Sequence, residues 1–340
     1  MTCQCFQLAV VLPLIITRSP LRLTLGGGGT DLPSYAHQFG GFCLTAAINQ
    51  YVYVTVTRPF VPGIFLKYSQ IEHVARVADV QHPLIRRALA QFGGPEPLQI
   101  EITTLADIPA GSGLGSSSSF TTALLKALAA FRQQPIPNDS LAAVACEIEA
   151  DRPYVPTGKQ DQYAAAFGGL SAITCRADDG VTVAPLSIAV DRLHDLEDHL
   201  LLFFTGYLRP SDPLLADQDR RTKAGDSAMI ENLHAVKALA RETHAVLLDG
   251  PLDAFGDCLH QQWLLKHDRS PGMIPPDVDR WYETARHSGA VGGKLVGAGG
   301  GGFLLFYASD PRRLREGLRA DGLQEVRFRF DFEGTKVLLT

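Results

Sequence analysis

The chain lacks the marks of several protein classes. Its six cysteines, at positions 3, 5, 43, 146, 175 and 258, include no C-x-x-C, and Cys3-x-Cys5 has no histidine set nearby to complete a zinc site. Reduced, mostly buried thiols of a cytosolic protein are therefore expected. The ten histidines show no H-E-x-x-H or similar ligand spacing, so ordinary core and surface histidines are expected. Positive charge is in deficit: 31 Lys and Arg against 36 Asp and Glu leave a net charge of −5. That argues against nucleic acid or an anionic membrane as partner. One apolar run, Leu8–Ile16 (LAVVLPLII), lies near the start, but no basic residues precede it and no small-residue cleavage site follows. It is too short to span a bilayer. A buried strand is the expectation there, with residues 1–13 as a loosely attached extension.

What is present suits a globular chain. At 340 residues, 46% hydrophobic and 20% charged, it has length for one long or two ordinary domains and enough apolar surface for a core. β-rich segments predict strands at 18–25, 51–58, 98–104, 200–205, 303–308, 326–332 and 336–339, and a hairpin pairs 170–174 with 181–185 around Asp178-Asp179-Gly180. Helical spacing predicts helices at 120–131, 140–150 (capped by Ser140), 226–248, 253–267 and 277–287. Strands and helices mix without a regular βαβ repeat, which points to α+β layers. A composition shift near 185–195 is the best place for a domain boundary. This divides the chain into residues 1–187 and 188–340.

The stretch 105–130, LADIPAGSGLGSSSSFTTALLKALAA, crowds glycine and serine just before a helix. A helix N-terminus carries unpaired N–H groups and partial positive charge, glycine lets the backbone approach a phosphate, and serine hydroxyls bond phosphate or ligate Mg²⁺. Gly111–Ser119 therefore reads as a phosphate cradle, with a flexible loop as the competing reading. It is not a Walker A loop, because the Gly-Lys-Ser/Thr ending is absent, and Ser116 stands where a dinucleotide fingerprint needs glycine. A second run, Gly297–Gly302, fits G-x-G-x-x-G, but a strand follows where a dinucleotide site needs a helix. Backbone packed close to a phosphate or to the first loop is the better reading. Two further stretches, RSPLRLTLGGGGTDLPSY (18–35) and EIEADRPYVPTGKQDQYAAAFGG (147–169), gather charge around glycine.

Taken together, these stretches resemble the GHMP kinases, the superfamily of galactokinase, homoserine kinase, mevalonate kinase and phosphomevalonate kinase. The resemblance runs from about Arg18 to the end, with 18–31, 109–119 and 294–302 matching three motifs in order and spacing. Within the superfamily, GGGGTDLPSY, KYSQIEHV (67–74), HPLIRRAL (82–89), GKQDQYAAAFGG (158–169) and GGKLVGAGGGGF (292–303) are most similar to the heptose 7-phosphate kinase branch. Related sugar-phosphate kinases are close neighbours. The resemblance implies a two-domain α+β fold, with an N-terminal ribosomal S5 domain 2-like part and a C-terminal ferredoxin-like sandwich.

It also implies roles. Asp161 matches the aspartate assigned as general base, and Arg22 its basic partner. Pro109, Gly111, Gly113, Leu114, Gly115, Ser116, Ser117 and Ser118 match the ATP phosphate loop. Ser117 and Glu149 match the Mg²⁺ contacts, with Glu147 competing because the register is open. Asp31 matches an aspartate that hydrogen-bonds sugar hydroxyls, and Gly28, Gly29, Thr30, Lys159, Gln160, Arg209, Gly299 and Gly300 complete the expected substrate set. Arg209 and Lys67 are the candidates for the acceptor's phosphate, whereas Trp263 and Lys266 read as core and surface. The implied reaction is ATP- and Mg²⁺-dependent phosphorylation of the anomeric hydroxyl of a sugar phosphate by a cytoplasmic monomer or homodimer. Two departures stand out: Leu21 replaces the usual glycine, and Gly28-Gly29 stand where galactokinases carry Glu-His. The second opens space and fits an acceptor larger than galactose. An octose, fucose or galactose kinase and a non-catalytic sugar sensor are the alternatives. A sensor would be expected to lose Asp161, Glu149 or the serines.

Overall fold

A computed structural model describes residues 14–150, 156–208, 212–269, 274–299 and 301–340. In chain order its elements begin with strand β1 (Ile15–Gly26), helix α1 (Pro33–Phe39), β2 (Gly41–Thr57), β3 (Gly63–Lys67), β4 (Ile71–Val74) and α2 (Pro83–Phe92). Next come β5 (Gln99–Ala106), α3 (Ser116–Phe131), α4 (Asn138–Ala150), α5 (Gln160–Phe167), β6 (Leu170–Cys175) and β7 (Val181–Pro185). The later part holds α6 (Val190–His199), β8 (Leu200–Phe204), α7 (Asp212–Lys223), α8 (Ser227–Asp249), α9 (Leu252–Arg269) and α10 (Pro276–His287). It closes with β9 (Ala290–Leu295), β10 (Phe303–Ala308), α11 (Pro311–Ala320), β11 (Gln324–Glu325) and β12 (Lys336–Leu339). Among the described residues no helix is long and apolar enough to cross a membrane.

Two sheets organise the layers. The first runs β12-β1-β2-β5-β3-β4, with β6 and β7 joined through β2. It is antiparallel apart from the β3–β5 pair. The second is antiparallel, in the order β11-β8-β10-β9. Strand β1 explains how the sheets meet. Side chains alternate across a strand, so Leu21, Leu23 and Leu25 share one face. There they pack in a core with Leu200, Leu202, Phe303 and Leu305 of the second sheet. The opposite face carries Arg22 and Thr24, both buried. One strand thus supplies hydrophobic packing on one side and polar groups on the other.

Several boundaries differ from expectation. Helix α3 starts at Ser116, four residues early, because Gly115 takes the left-handed conformation that opens the helix. The serines are therefore its first turn. Helix α4 starts at Asn138, with Leu141 N–H donating to the Pro137 carbonyl, so Ser140 lies inside the first turn and does not cap it. The strand expected at 326–332 is absent. Its backbone donors are spread over several partners: Val326 N–H reaches Leu202 O of β8, Asp331 N–H reaches Ala47 O of β2, and the side chains of Asn49 and Glu197 take Arg329 N–H and Phe330 N–H, each at 2.7 Å. Only an isolated bridge joins Phe330 to Ile48. Cys43, Cys146, Cys175 and Cys258 are free thiols, as expected. Cys3, Cys5 and the first part of the Leu8–Ile16 run lie outside the described residues, while Ile15 and Ile16 open β1.

Candidate active site

A cavity of about 830 Å³ takes lining residues from both sheets, and the glycine-rich stretches converge on it. The loop before α3 and the helix's first turn form one wall, where Gly111, Gly113, Gly115, Ser116, Ser117 and Ser118 line the space. No side chain caps this helix. Its leading N–H groups are left without intrahelical partners, so the turn is suited to an anion. The loop 111–115 is held in place from behind. Arg22 N–H donates to Leu114 O at 3.0 Å, and Arg22 Nη1 to Gly113 O at 2.6 Å.

The C-terminal glycine run braces the same loop. A methyl group on Gly297 would lie 2.7 Å from Gly113 Cα, and one on Gly302 would lie 2.2 Å from Ser112 O. No side chain fits between the two loops. Gly297 and Gly302 thus pack on the first loop, one of the two expected readings, whereas Gly301 faces Tyr207 and Gly299 faces Leu214.

Across the cavity, α5 presents Asp161 in its first turn. Arg22 grips this carboxylate with two parallel bonds, Nε to Oδ1 at 2.8 Å and Nη2 to Oδ2 at 2.7 Å. Such a fork fixes the plane of the carboxylate. Asp31 lies beside this half-buried carboxylate and is itself buried. Its oxygens accept Gln160 N–H and Nε2, each at 3.1 Å, and Gly29 N–H at 3.2 Å. Burial raises the Asp31 pKa, the Asp161 charge adds to the rise, and the backbone N–H groups partly offset it. The carboxylate is packed so tightly that a methyl group on Gly158 would sit 2.0 Å from Oδ2.

Burial separates the two candidate glutamates. Glu147 is exposed, whereas Glu149 is buried and lines the cavity. Glu149 Oε2 accepts Ser118 Oγ at 3.0 Å and Gln162 Nε2 at 3.1 Å. Ser117 Oγ is buried and has no hydrogen-bond partner among the described residues.

Other expected site residues are placed elsewhere. Thr30 is wholly buried and closes its own turn through Gly27 O and Phe42 O. Pro109 and Gly299 do not line the cavity, and Leu114 is core. Lys159 turns away to Asp179, 2.8 Å from Oδ1. Lys67 pairs with Glu101 at 2.6 Å outside the cavity. Arg209 and Gly300 lie outside the described residues. Trp263 is core, stacked on Tyr282 as its sequence context suggested.

Sequence reasoning missed most of the cationic wall. Lys266 is not at the surface. It is buried and lines the cavity with Arg269 and Lys294. Lys294 stands in the C-terminal motif, which was a signal. Arg269 has none beyond being three residues after Lys266, on the same helix face. Burial pushes the Lys294 pKa down to about 7, helped by Arg269 and Arg22, and lowers that of Lys266 strongly. The Lys294 charge therefore costs stability. Below about pH 7 both folded and unfolded chains hold its proton, and the full cost is present. Between about 7 and the ordinary lysine range the unfolded chain binds more protons, so stability rises with pH. Lys294→Met should raise the melting temperature of the ligand-free protein at pH 6, and the gain should shrink as pH climbs above about 7. Calorimetric melts at several pH values test this, and no gain at pH 6 would contradict it.

This fold and site define a kinase of the GHMP type. Residues 75–169 match the family model described as GHMP kinases N terminal domain, and residues 235–323 match GHMP kinases C terminal. The chain belongs to the GHMP kinase family. It is 30% identical over 335 residues to the D-glycero-alpha-D-manno-heptose 7-phosphate kinase of Campylobacter jejuni, covering 95% of this chain and 98% of that one. A crystal structure described as a D-glycero-D-manno-heptose 1-phosphate kinase from Bacteroides thetaiotaomicron superposes with a TM-score of 0.77. It is 28% identical, with 95% of this chain and 98% of that chain covered. The L-fucokinase/L-fucose-1-P guanylyltransferase of Bacteroides fragilis is 26% identical, over 87% of this chain and 34% of its own length. The protein is thus a phosphotransferase that uses a hydroxyl acceptor, in a family whose phosphoryl donor is ATP.

Proposed function

We propose that the protein transfers the γ-phosphoryl group of ATP to the anomeric hydroxyl of a sugar phosphate, D-glycero-D-manno-heptose 7-phosphate, giving the 1,7-bisphosphate. The observation that carries this reading is the Arg22–Asp161 fork facing the uncapped first turn of α3 across one cavity. Donor phosphates at the helix N-terminus and an acceptor hydroxyl at Asp161 satisfy an in-line transfer, which needs positioning and charge neutralisation above all. The acceptor O1 attacks the γ-phosphorus as its proton passes to the Asp161 carboxylate. The bond to the bridging oxygen breaks, and ADP leaves. Asp31 and the Gly28-Gly29 turn border the acceptor space, where two glycines leave room for a seven-carbon sugar. Tyr68, His82, Leu84, Leu105, Ile108 and Phe120 supply an apolar and aromatic wall for a purine ring.

Ser117 and Glu149 suit magnesium: a buried hydroxyl without a partner and a buried carboxylate, completed by nucleotide oxygens and water. No group of three or more His, Cys, Asp or Glu side chains among the described residues would hold a metal alone, in keeping with an ion brought by the nucleotide. Bound there, magnesium neutralises charge on the phosphate oxygens.

An ADP-release assay with Mg·ATP tests the proposal against D-glycero-D-manno-heptose 7-phosphate, sedoheptulose 7-phosphate, mannose, fucose, galactose and mevalonate. Turnover with the heptose phosphate alone is the expected result. Turnover with an unphosphorylated sugar only would overturn the acceptor assignment and keep the chemistry.

A further inference from the structure

Three cations border the cavity without an anion to match them. Lys266 and Arg269 lie on one face of α9, and Lys294 faces them from β9. None has a carboxylate within ion-pair distance among the described residues. Each is held instead by neutral acceptors. Lys266 Nζ donates to Leu295 O at 2.8 Å and Gly297 O at 2.6 Å. Lys294 Nζ donates to Gln262 Oε1 at 2.6 Å, and Arg269 Nη1 to Gly28 O at 3.3 Å. These acceptors orient the side chains and leave their charge uncancelled.

The other charged groups of the cavity already have roles. Arg22 is committed to Asp161. The donor phosphates have the α3 turn, with its serines and Glu149. Burying like charges side by side is costly, and Lys266, Lys294 and Arg269 each act on at least one of the others. A cluster kept at that cost marks an anion site. A monoester dianion matches it, with Arg269 offering a planar fork and the lysines compact charges. The cluster also adjoins the acceptor space. Arg269 bonds the Gly28 carbonyl, Gln218 Nε2 bonds the Gly29 carbonyl at 2.8 Å, and Gly29 N–H bonds Asp31.

We propose that Lys266, Lys294 and Arg269 form a phosphate-monoester subsite that holds the acceptor's own phosphate and selects phosphorylated over free sugars. This rests on the sugar-phosphate kinase reading above. It assigns the role that Lys67 and Arg209 were expected to fill.

The test compares wild type with Arg269→Gln, Lys266→Gln and Lys294→Gln, using D-glycero-D-manno-heptose 7-phosphate and D-glycero-D-manno-heptose as acceptors. Losing one charged contact should lower the ratio of kcat/KM for phosphorylated over free acceptor by about 10- to 100-fold, while the KM for ATP moves far less. Arg269→Lys should recover part of the ratio. An equal fall with both acceptors, or a raised KM for ATP, would overturn the proposal and give the cations to the nucleotide. Binding of inorganic phosphate, followed by thermal shift in saturating ADP, separates the subsite from the function reading. If wild type turns over no sugar phosphate, that reading fails. The subsite still stands if phosphate stabilises wild type and not Arg269→Gln, and falls if stabilisation survives the substitution. Melts without ligand establish that each variant folds.

Discussion

Asp161→Asn should lower kcat by about 10²–10⁴-fold while leaving ATP affinity nearly intact, the range general-base help supplies. The side chain keeps its shape but cannot accept the acceptor's proton. Only one of the two Arg22 bonds survives, since the amide nitrogen would face a guanidinium donor. Arg22 itself stays in place through the Gly113 carbonyl, so the phosphate loop keeps its support. Steady-state kinetics with a separate nucleotide titration distinguish these effects. A near-wild-type rate would remove Asp161 from the reaction. A parallel loss of ATP binding would make its role structural.

Gly302→Ala should destabilise the protein by about 2–4 kcal/mol and weaken ATP binding with it. Two costs combine. Gly302 has φ of +98°, outside the comfortable range of a residue with a side chain, and its added methyl would lie 2.2 Å from Ser112 O. The obstacle is backbone, so it cannot swing away, and Ser112 would push on its neighbours Gly111 and Gly113, which line the cavity. Gly225→Ala is the control. It has φ of +72° but open space around it, so only the conformational cost of about 1 kcal/mol remains. Equal melting temperatures for the two variants would dismiss the clash.

Strands and helices with strong periodicity were readable in the sequence. The 170–185 hairpin and helices α8, α9 and α10 fall within one to two residues of expectation because local pattern and tertiary packing agree there. Elements set by distant partners were not. The 326–332 segment is β-rich, yet its donors are divided among two strands and the side chains of Asn49 and Glu197. The site divides in the same way. Gly111–Ser118, Asp31 and Asp161 sit in recognisable motifs. Lys159, Thr30 and Leu114 sit in the same motifs, yet their side chains turn to Asp179, to their own turn or to the core. A motif fixes the path of the backbone, and side-chain direction follows from packing. Lys266 illustrates the converse. Its helix pattern reads as amphipathic surface, and only the approach of β9 encloses it.

The mutual packing of the two glycine loops has a consequence for modularity. Ser112–Gly113 and the residues Val296, Gly297 and Gly302 are moulds for each other, although more than 180 residues of chain separate them. The proposed nucleotide cradle is consequently not a cassette that the first sheet carries by itself. A chimera that took its later part from a distant relative would inherit a loop shaped against a foreign template. A change of shape in one loop therefore limits what the other can accept.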